Sequence, residues 1–492
     1  MKTIGIDVGS SSIKVSLMDI TSGEALSSVT LPEVEMPMCA LQTGWAEQDP
    51  NMWWSYVCDA IKTIGREYPL SEVAAIGISY QMHGLVCLNA NGEPLRKSII
   101  WCDSRAVEIG EKALKEIGES ECLARVLNSP GNFTASKLAW VKANEPELYA
   151  EIKYFLLPGD YIAYKLSGDI ATTSSGLSEQ ILWDFKDDKR ADFIAEYFGI
   201  ELDKIPTDKP SIGIQALTDA KTEKFLGIKQ GTPISYRAGD QPNNAFSLNV
   251  MESGEIAATG GTSGVVYGVT SLPKADEQSR VNTFLHVNHT SEKPSYGVLL
   301  CINGAGSLNA WARRTFAPEL SYNEINDLCS QAPASSDGVN LFPFGNGAER
   351  MLGNKTTGAA INNVEFNRHT RAHILRATQE SIAYAFRYGI DIMKQVGLEP
   401  KVIRAGKANL FLSPLFRETL ATLCDVTIEL YNTDGALGAA RGAALGAGLF
   451  DSREQAFASL KKLETINSNS EIKQVLEEGY QKWKNQLLKN IY

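Results

Sequence analysis
Eight cysteines lie scattered along the 492 residues with no C-x-x-C pair and no histidine at zinc-finger spacing. That excludes a zinc ribbon or a dithiol redox centre, and the thiols read as the reduced structural ones of a cytoplasmic protein. No Lys/Arg block interrupts a balance of 58 acidic against 47 basic residues, a net charge of −11. Nucleic acid is therefore not an expected partner. An anionic ligand would have to be held by backbone amides, a metal and helix N-termini rather than by the overall field. No long apolar run occurs either: the least polar stretch, Gly435 to Phe450, carries Arg441 and falls short of the roughly 20 apolar residues of a membrane span. The alternating start Lys2-Thr3-Ile4-Gly5-Ile6-Asp7 has no charged leader, so no secretory signal is expected. A G-x-x-x-x-G-K-[ST] loop is absent, as is a G-x-G-x-x-G after an early strand; P-loop and dinucleotide-binding readings lose support.

What is present describes an ordinary globular chain, 43% hydrophobic and 21% charged, too long for one core and expected to divide into two large domains. Strand signals at Thr3 to Ile6, Ile13 to Met18, Ala74 to Ser79, Leu85 to Asn89 and Ser98 to Trp101 alternate with helical patterns at Pro50 to Tyr68, Ser104 to Glu116 and Ser136 to Ala143, so the class is α/β. The opening hairpin, with its small-residue tip Asp7 to Ser12, recurs at Glu255 to Val269 around Thr259 to Gly264. This repetition predicts an internal duplication, with domains at 1–247 and 248–492. Further helices are expected at Asn309 to Phe316, Thr370 to Val396, Ser413 to Cys424 and Thr433 to Leu449, and a surface helix at Glu471 to Lys489.

Asp7-Val8-Gly9-Ser10-Ser11-Ser12 places a carboxylate at a strand end before a glycine and three hydroxyls. Backbone N–H groups and hydroxyls there could bind phosphate oxygens and Asp7 could hold Mg²⁺, or the segment is a plain polar turn. A second loop of the same composition, with Gly261, Thr262 and Ser263, makes a clamp for two phosphates the stronger reading. Asp240, in Ala238-Gly239-Asp240 after a strand at Pro233 to Arg237, is either a catalytic carboxylate or the cap of the helix that Pro242 opens.

The succession D-x-G-[ST]-S from Asp7, Q-M-H-G at Gln81 to Gly84, W-x-D-x-R at Trp101 to Arg105, A-G-D at 238 to 240, G-G-T-S-G at 260 to 264 and a late glycine turn resembles the FGGY family of carbohydrate kinases, collinear from Asp7 to about Gly448. The resemblance implies an actin-like ATPase fold, two duplicated ribonuclease H-like domains around an interdomain cleft, closing on ATP, Mg²⁺ and a sugar. It implies Asp240 as the catalytic base; an ordinary Asp, with a pKa near roughly 3.9, would then orient the hydroxyl and accept its proton late. It puts Gln81, Met82 and His83 on the sugar, with Trp101 as an aromatic wall and Asp103 as a hydroxyl acceptor. For the last two, a core tryptophan and a helix cap remain open from the residues alone. Gly9, Ser10 and Ser11 would face phosphate. The nucleotide would also meet Gly306 and Asn309, and Ala405, Gly406 and Asn409 in a turn where Ala405 and Lys407 replace the family's usual glycines. The expected reaction is transfer of the γ-phosphate of ATP to the 5-hydroxyl of a ketopentose, D-xylulose first, with ribulose or glycerol as alternatives. An actin-like nucleotide switch without sugar chemistry is a further alternative. A homodimer is suggested by the family.

Overall fold
The computed structural model describes residues 1–491. It divides into two compact units. The first takes Met1–Asn249, Phe284–Tyr296 and Thr433–Leu460; the second takes Val250–Thr283, Gly297–Asn432 and the chain from Lys461. Beyond a cut near residue 248, the chain thus returns twice to the first unit.

In the first unit, β1 (Lys2–Val8), β2 (Ile13–Asp19), β3 (Ala25–Leu31), β4 (Val73–Tyr80), β5 (Ile212–Leu217) and β6 (Pro233–Gly239) form one sheet in the order β5-β6-β4-β1-β2-β3. β1 runs parallel to β4, and β4 parallel to β6, while β2, β3 and β5 are antiparallel to their neighbours. Ile4, Ile6, Val8, Ile76 and Ile78 are fully buried, as central strands covered on both faces require. One face is covered by the helix Pro50–Gly65, which opens with Asp49 accepting from the Asn51 N–H and Pro50 in its first turn. The small-residue helix Gly435–Gly446 packs backbone to backbone on the same sheet: a Cβ on Gly5 would lie 1.8 Å from the Ala436 carbonyl oxygen. That contact explains both the Ala/Gly composition of the helix and the return of Thr433–Leu460 to this unit.

In the second unit, β7 (Glu255–Gly260), β8 (Gly264–Thr270), β9 (Tyr296–Ile302), β10 (Val402–Gly406), β11 (Thr427–Tyr431) and β12 (Lys462–Ile466) follow the order β9-β8-β7-β10-β11-β12. β7 pairs antiparallel with β8 and parallel with β10, β10 parallel with β11, and β11 antiparallel with β12. These six of the sheet's seven strands repeat β3-β2-β1-β4-β6-β5, so the duplication holds for the sheets and not only for the hairpins. The long helix Arg371–Gln395 runs through the core of this unit. The final helix, Ser470–Ile491, is not a surface helix as its charges suggest: Leu476, Tyr480, Trp483 and Leu487 are fully buried at helical spacing against Phe342, Phe344 and Tyr384. Among the described residues no helix is long and apolar enough to cross a membrane.

Candidate active site
Because β1, β4 and β6 are adjacent and parallel, their C-terminal ends lie side by side. Asp7, Gln81-Met82-His83 and Asp240 stand at those three ends. Open parallel sheets present ligand sites at this edge.

Asp240 is the first residue of the helix Asp240–Ser247, whose N-cap is Gly239 and which has no side-chain cap hydrogen bond. The capping alternative therefore fails. The carboxylate is partly buried, and its Oδ2 accepts from Gln241 Nε2 at 3.2 Å. Burial, then the charge of Asp7, raises its pKa to about 7. The ordinary value assumed from the sequence is thus corrected upwards: composition does not reveal that a carboxyl is desolvated beside a second one. Burial raises the pKa of Asp7 as well, with Asp434 adding repulsion and Lys14 opposing it; Lys14 is paired to Asp434 at 2.6 Å.

The hairpin tip after Asp7 is braced from below. Gly9 N–H donates to the Ser12 carbonyl, Gln48 Nε2 donates to the Ser10 carbonyl at 2.7 Å, and the Met36 N–H donates to the Ser11 carbonyl. Trp101 is 53% exposed and its indole N–H donates to Ser10 Oγ at 3.3 Å. It is neither a core tryptophan nor remote from this edge, but a side chain laid beside the first phosphate-loop candidate.

Gln81 is buried, and its Oε1 has no hydrogen-bond partner among the described residues; the same is true of Gln241 Oε1, next to Asp240. Two orphaned acceptors flanking a carboxylate suit a ligand rich in hydroxyl donors. Met82 is buried. The His83 ring lies 5.0 Å from that of Phe133 and 5.4 Å from that of Phe284, and its Nδ1 is 2.8 Å from the Glu179 carbonyl oxygen.

Asp103 departs from expectation. It is fully buried; Oδ2 accepts the Ala46 N–H at 2.6 Å, and both oxygens take the Arg105 guanidinium. The Arg of the W-x-D-x-R motif closes back on its own Asp, leaving no capacity for a sugar hydroxyl. Nor does Asp103 cap a helix, since the helix Val107–Ile117 has Ala106 as its N-cap.

The second unit carries its own cavity, of 590 Å³. Gly261, Thr262, Gly306, Asn309 and Asn409 line it. Gly306 is required by close approach, because a Cβ there would stand 2.1 Å from the Gly261 carbonyl oxygen. The Gly306 N–H donates to that carbonyl and the Ser307 N–H to the Thr262 carbonyl, so the loop rests on the N-terminus of the helix Ala305–Phe316 and takes up two of its first-turn N–H groups. Ser263 and Gly406 are not among the lining residues, and Ala405 is fully buried in β10 between Ala258 and Leu430. Its methyl packs inside the sheet, which removes it as a nucleotide contact. Sequence reasoning missed Asn326, Gln379 and Ser413, which line the same cavity. Gln379 Nε2 donates to Asn326 Oδ1 at 3.2 Å, and Ser413 Oγ lies 2.5 Å from Gln379 Oε1. The available signal was a glutamine on the buried face of the long helix.

These residues fit the two ligands a kinase needs. The glycine-lined polar cavity fits a nucleotide. Asp7, crowded by like charges, fits a divalent cation. No cluster of three or more ligand-type side chains at metal spacing occurs among the described residues.

Models of the FGGY family of carbohydrate kinases match the chain twice, the N-terminal domain over residues 2–247 and the C-terminal domain over 256–449. The chain belongs to this family, and is an ATP-dependent carbohydrate kinase with an actin-like ATPase fold. It is 27% identical to the xylulose kinase of Escherichia coli strain K12, covering 90% of this chain and 88% of that one. Its fold matches the crystal structure of xylulose kinase from Rhodospirillum rubrum with a TM-score of 0.88 at 21% identity over 99% of both chains. It matches that of gluconate kinase from Lactobacillus acidophilus equally, with a TM-score of 0.88 at 23% identity over 99% and 98% of the two chains.

Proposed function
We propose that the protein transfers the γ-phosphate of ATP to the 5-hydroxyl of D-xylulose, giving D-xylulose 5-phosphate and ADP. The observation that carries the chemistry is the Asp240 carboxylate at the end of β6, with a pKa raised to about 7, beside the Gln81-Met82-His83 turn at the end of β4. The substrate is supported by the name of the Escherichia coli relative. The fold does not choose it, because a gluconate kinase is matched as well.

Asp240 accepts the hydroxyl proton as the oxygen–phosphorus bond forms and the bond from γ-phosphorus to the ADP oxygen breaks. A base near pH 7 takes that proton with more driving force than an ordinary aspartate. Gln81 and His83 orient the sugar through hydrogen bonds to its hydroxyls, and the apolar Met82 stem closes one side of the pocket. Gly261 and Thr262 hold phosphate through backbone N–H groups and the hydroxyl, and Asn309 and Asn409 line the nucleotide's place. In the first unit, Ser10 and Ser11 would meet phosphate and Asp7 would hold Mg²⁺, directly or through water. Mg²⁺, when bound, neutralises charge on the phosphate oxygens.

The test is coupled ADP release with D-xylulose, D-ribulose, glycerol and D-gluconate, with Mg²⁺ present or chelated. D-Xylulose is expected to give the highest kcat/KM, with turnover only in Mg²⁺. A maximum on another compound overturns the substrate, and ATP binding that no sugar stimulates to turnover favours a nucleotide switch.

A further inference from the structure
His83 has φ +60, a left-handed backbone conformation that is uncommon outside glycine and persists only where its surroundings hold it. Both polar ends of its peptide backbone are held by buried ionisable side chains. Its N–H donates to Glu179 Oε2 at 3.3 Å, and its carbonyl accepts from Lys137 Nζ at 2.8 Å. Neither of these side chains is spent on an ordinary ion pair with the other. Lys137 Nζ also donates to the Ile100 carbonyl at 3.0 Å, just before Trp101, and so ties the Q-M-H-G turn to the W-x-D-x-R turn. Glu179 ends the helix Ser174–Glu179. Its Oε1 accepts from the Tyr80 hydroxyl at 2.5 Å, at the last residue of β4, and its own carbonyl takes the Nδ1 proton of the His83 ring. A carbonyl only accepts, so this contact sets the neutral ring as the Nδ1–H tautomer and turns Nε2 into a hydrogen-bond acceptor.

We propose that Lys137 and Glu179 are a pair of positioning residues that clamp His83 in its left-handed conformation, aiming the ring as an acceptor for a sugar hydroxyl. The inference rests on the sugar-site reading above and deepens it, since neither side chain touches the sugar itself. Burial pushes the Lys137 ammonium down to about 7 and raises Glu179 well above the usual carboxylate range. Two costly buried groups are thus spent on one peptide unit of the pocket, and each satisfies a backbone group of His83 that an apolar side chain would leave unpaired.

The clamp is tested by sugar and ATP kinetics of Glu179→Leu, Glu179→Gln and Lys137→Met, each alone and in a His83→Ala background. Glu179→Leu and Lys137→Met are expected to raise the sugar KM roughly tenfold with the ATP KM unchanged, while Glu179→Gln, which keeps an acceptor for the His83 N–H, stays within about threefold of the parent. In the His83→Ala background neither should add a further effect, because the ring they aim is gone. Should Glu179→Leu not fold, Tyr80→Phe carries the same test, with a rise of roughly threefold that vanishes in that background. If His83→Ala raises the sugar KM but the clamp variants leave it unchanged, or add to it in full, the clamp is overturned and the sugar site stands. If His83→Ala leaves the sugar KM unchanged, the site reading falls and takes the clamp with it.

Discussion

Asp240→Asn should make the protein more stable while disabling it, and the gain should depend on pH. The carboxyl has a pKa raised to about 7 from its ordinary 3.8, by burial first and the Asp7 charge second. A group raised in the folded state contributes stability below its unfolded value and loses it as pH rises through the folded one. Each tenfold change in proton affinity is worth about 1.4 kcal/mol, so the ionised carboxylate opposes folding by up to about 4 kcal/mol at pH 8. Because Asp240 keeps partial exposure, half of that, about 2 kcal/mol, is the expected gain from asparagine. For a unit of this size the gain amounts to roughly 4–8 °C in the unfolding midpoint at pH 8, shrinking to roughly 2 °C at pH 5. The assay is a thermal scan of parent and variant at both pH values, with no nucleotide and a chelator present, so that no cation relieves the repulsion. A variant less stable than the parent at pH 8, or equally stabilised at both, would refute the assignment of a strained, ionising carboxylate.

The same raised pKa, held up chiefly by burial, predicts that kcat/KM for the sugar rises with pH through an inflection at or somewhat below 7, measured at saturating ATP and Mg²⁺ in a non-chelating buffer; a flat profile from pH 5.5 to 8.5 would contradict it. Asp7→Asn is expected to raise the Mg²⁺ concentration for half-maximal rate by about tenfold while leaving Mg²⁺-free nucleotide binding to the full chain nearly unchanged, read by fluorescent-nucleotide titration. Gly306→Ala drives a methyl towards the Gly261 carbonyl and should raise the ATP KM by about tenfold or more with the sugar KM unaltered.

Much of the site was legible because its residues sit at strand ends, where apolar alternation stops at small or charged residues: Asp7 after Ile4 and Ile6, Gly260 after Ile256 and Ala258. The hairpins β1–β2 and β7–β8 were readable for the same reason. The edge strands β3, β5 and β12 were not. Ala25–Leu31 is largely exposed, and Ile212–Leu217 turns Ile214 and Leu217 outward, so neither carries the pattern of a buried face, and pairing with a neighbour distant in sequence makes them strands. Asp103 was misread because its guanidinium partner lies only two residues on, a closure that spacing alone does not reveal. Gln379, Asn326 and Ser413 meet only once the long helix is packed. Glu179 and Lys137 lie 96 and 54 residues from His83, and no local pattern joins them.

The most direct test of the central claim is sugar-dependent ADP release by parent and Asp240→Asn on D-xylulose, with ATP affinity measured in parallel. The expected result is a loss in kcat of about 10²-fold or more with ATP affinity unchanged. A variant that turns over within about threefold of the parent would contradict Asp240 as the base and, with it, the placement of the reaction at the ends of β1, β4 and β6.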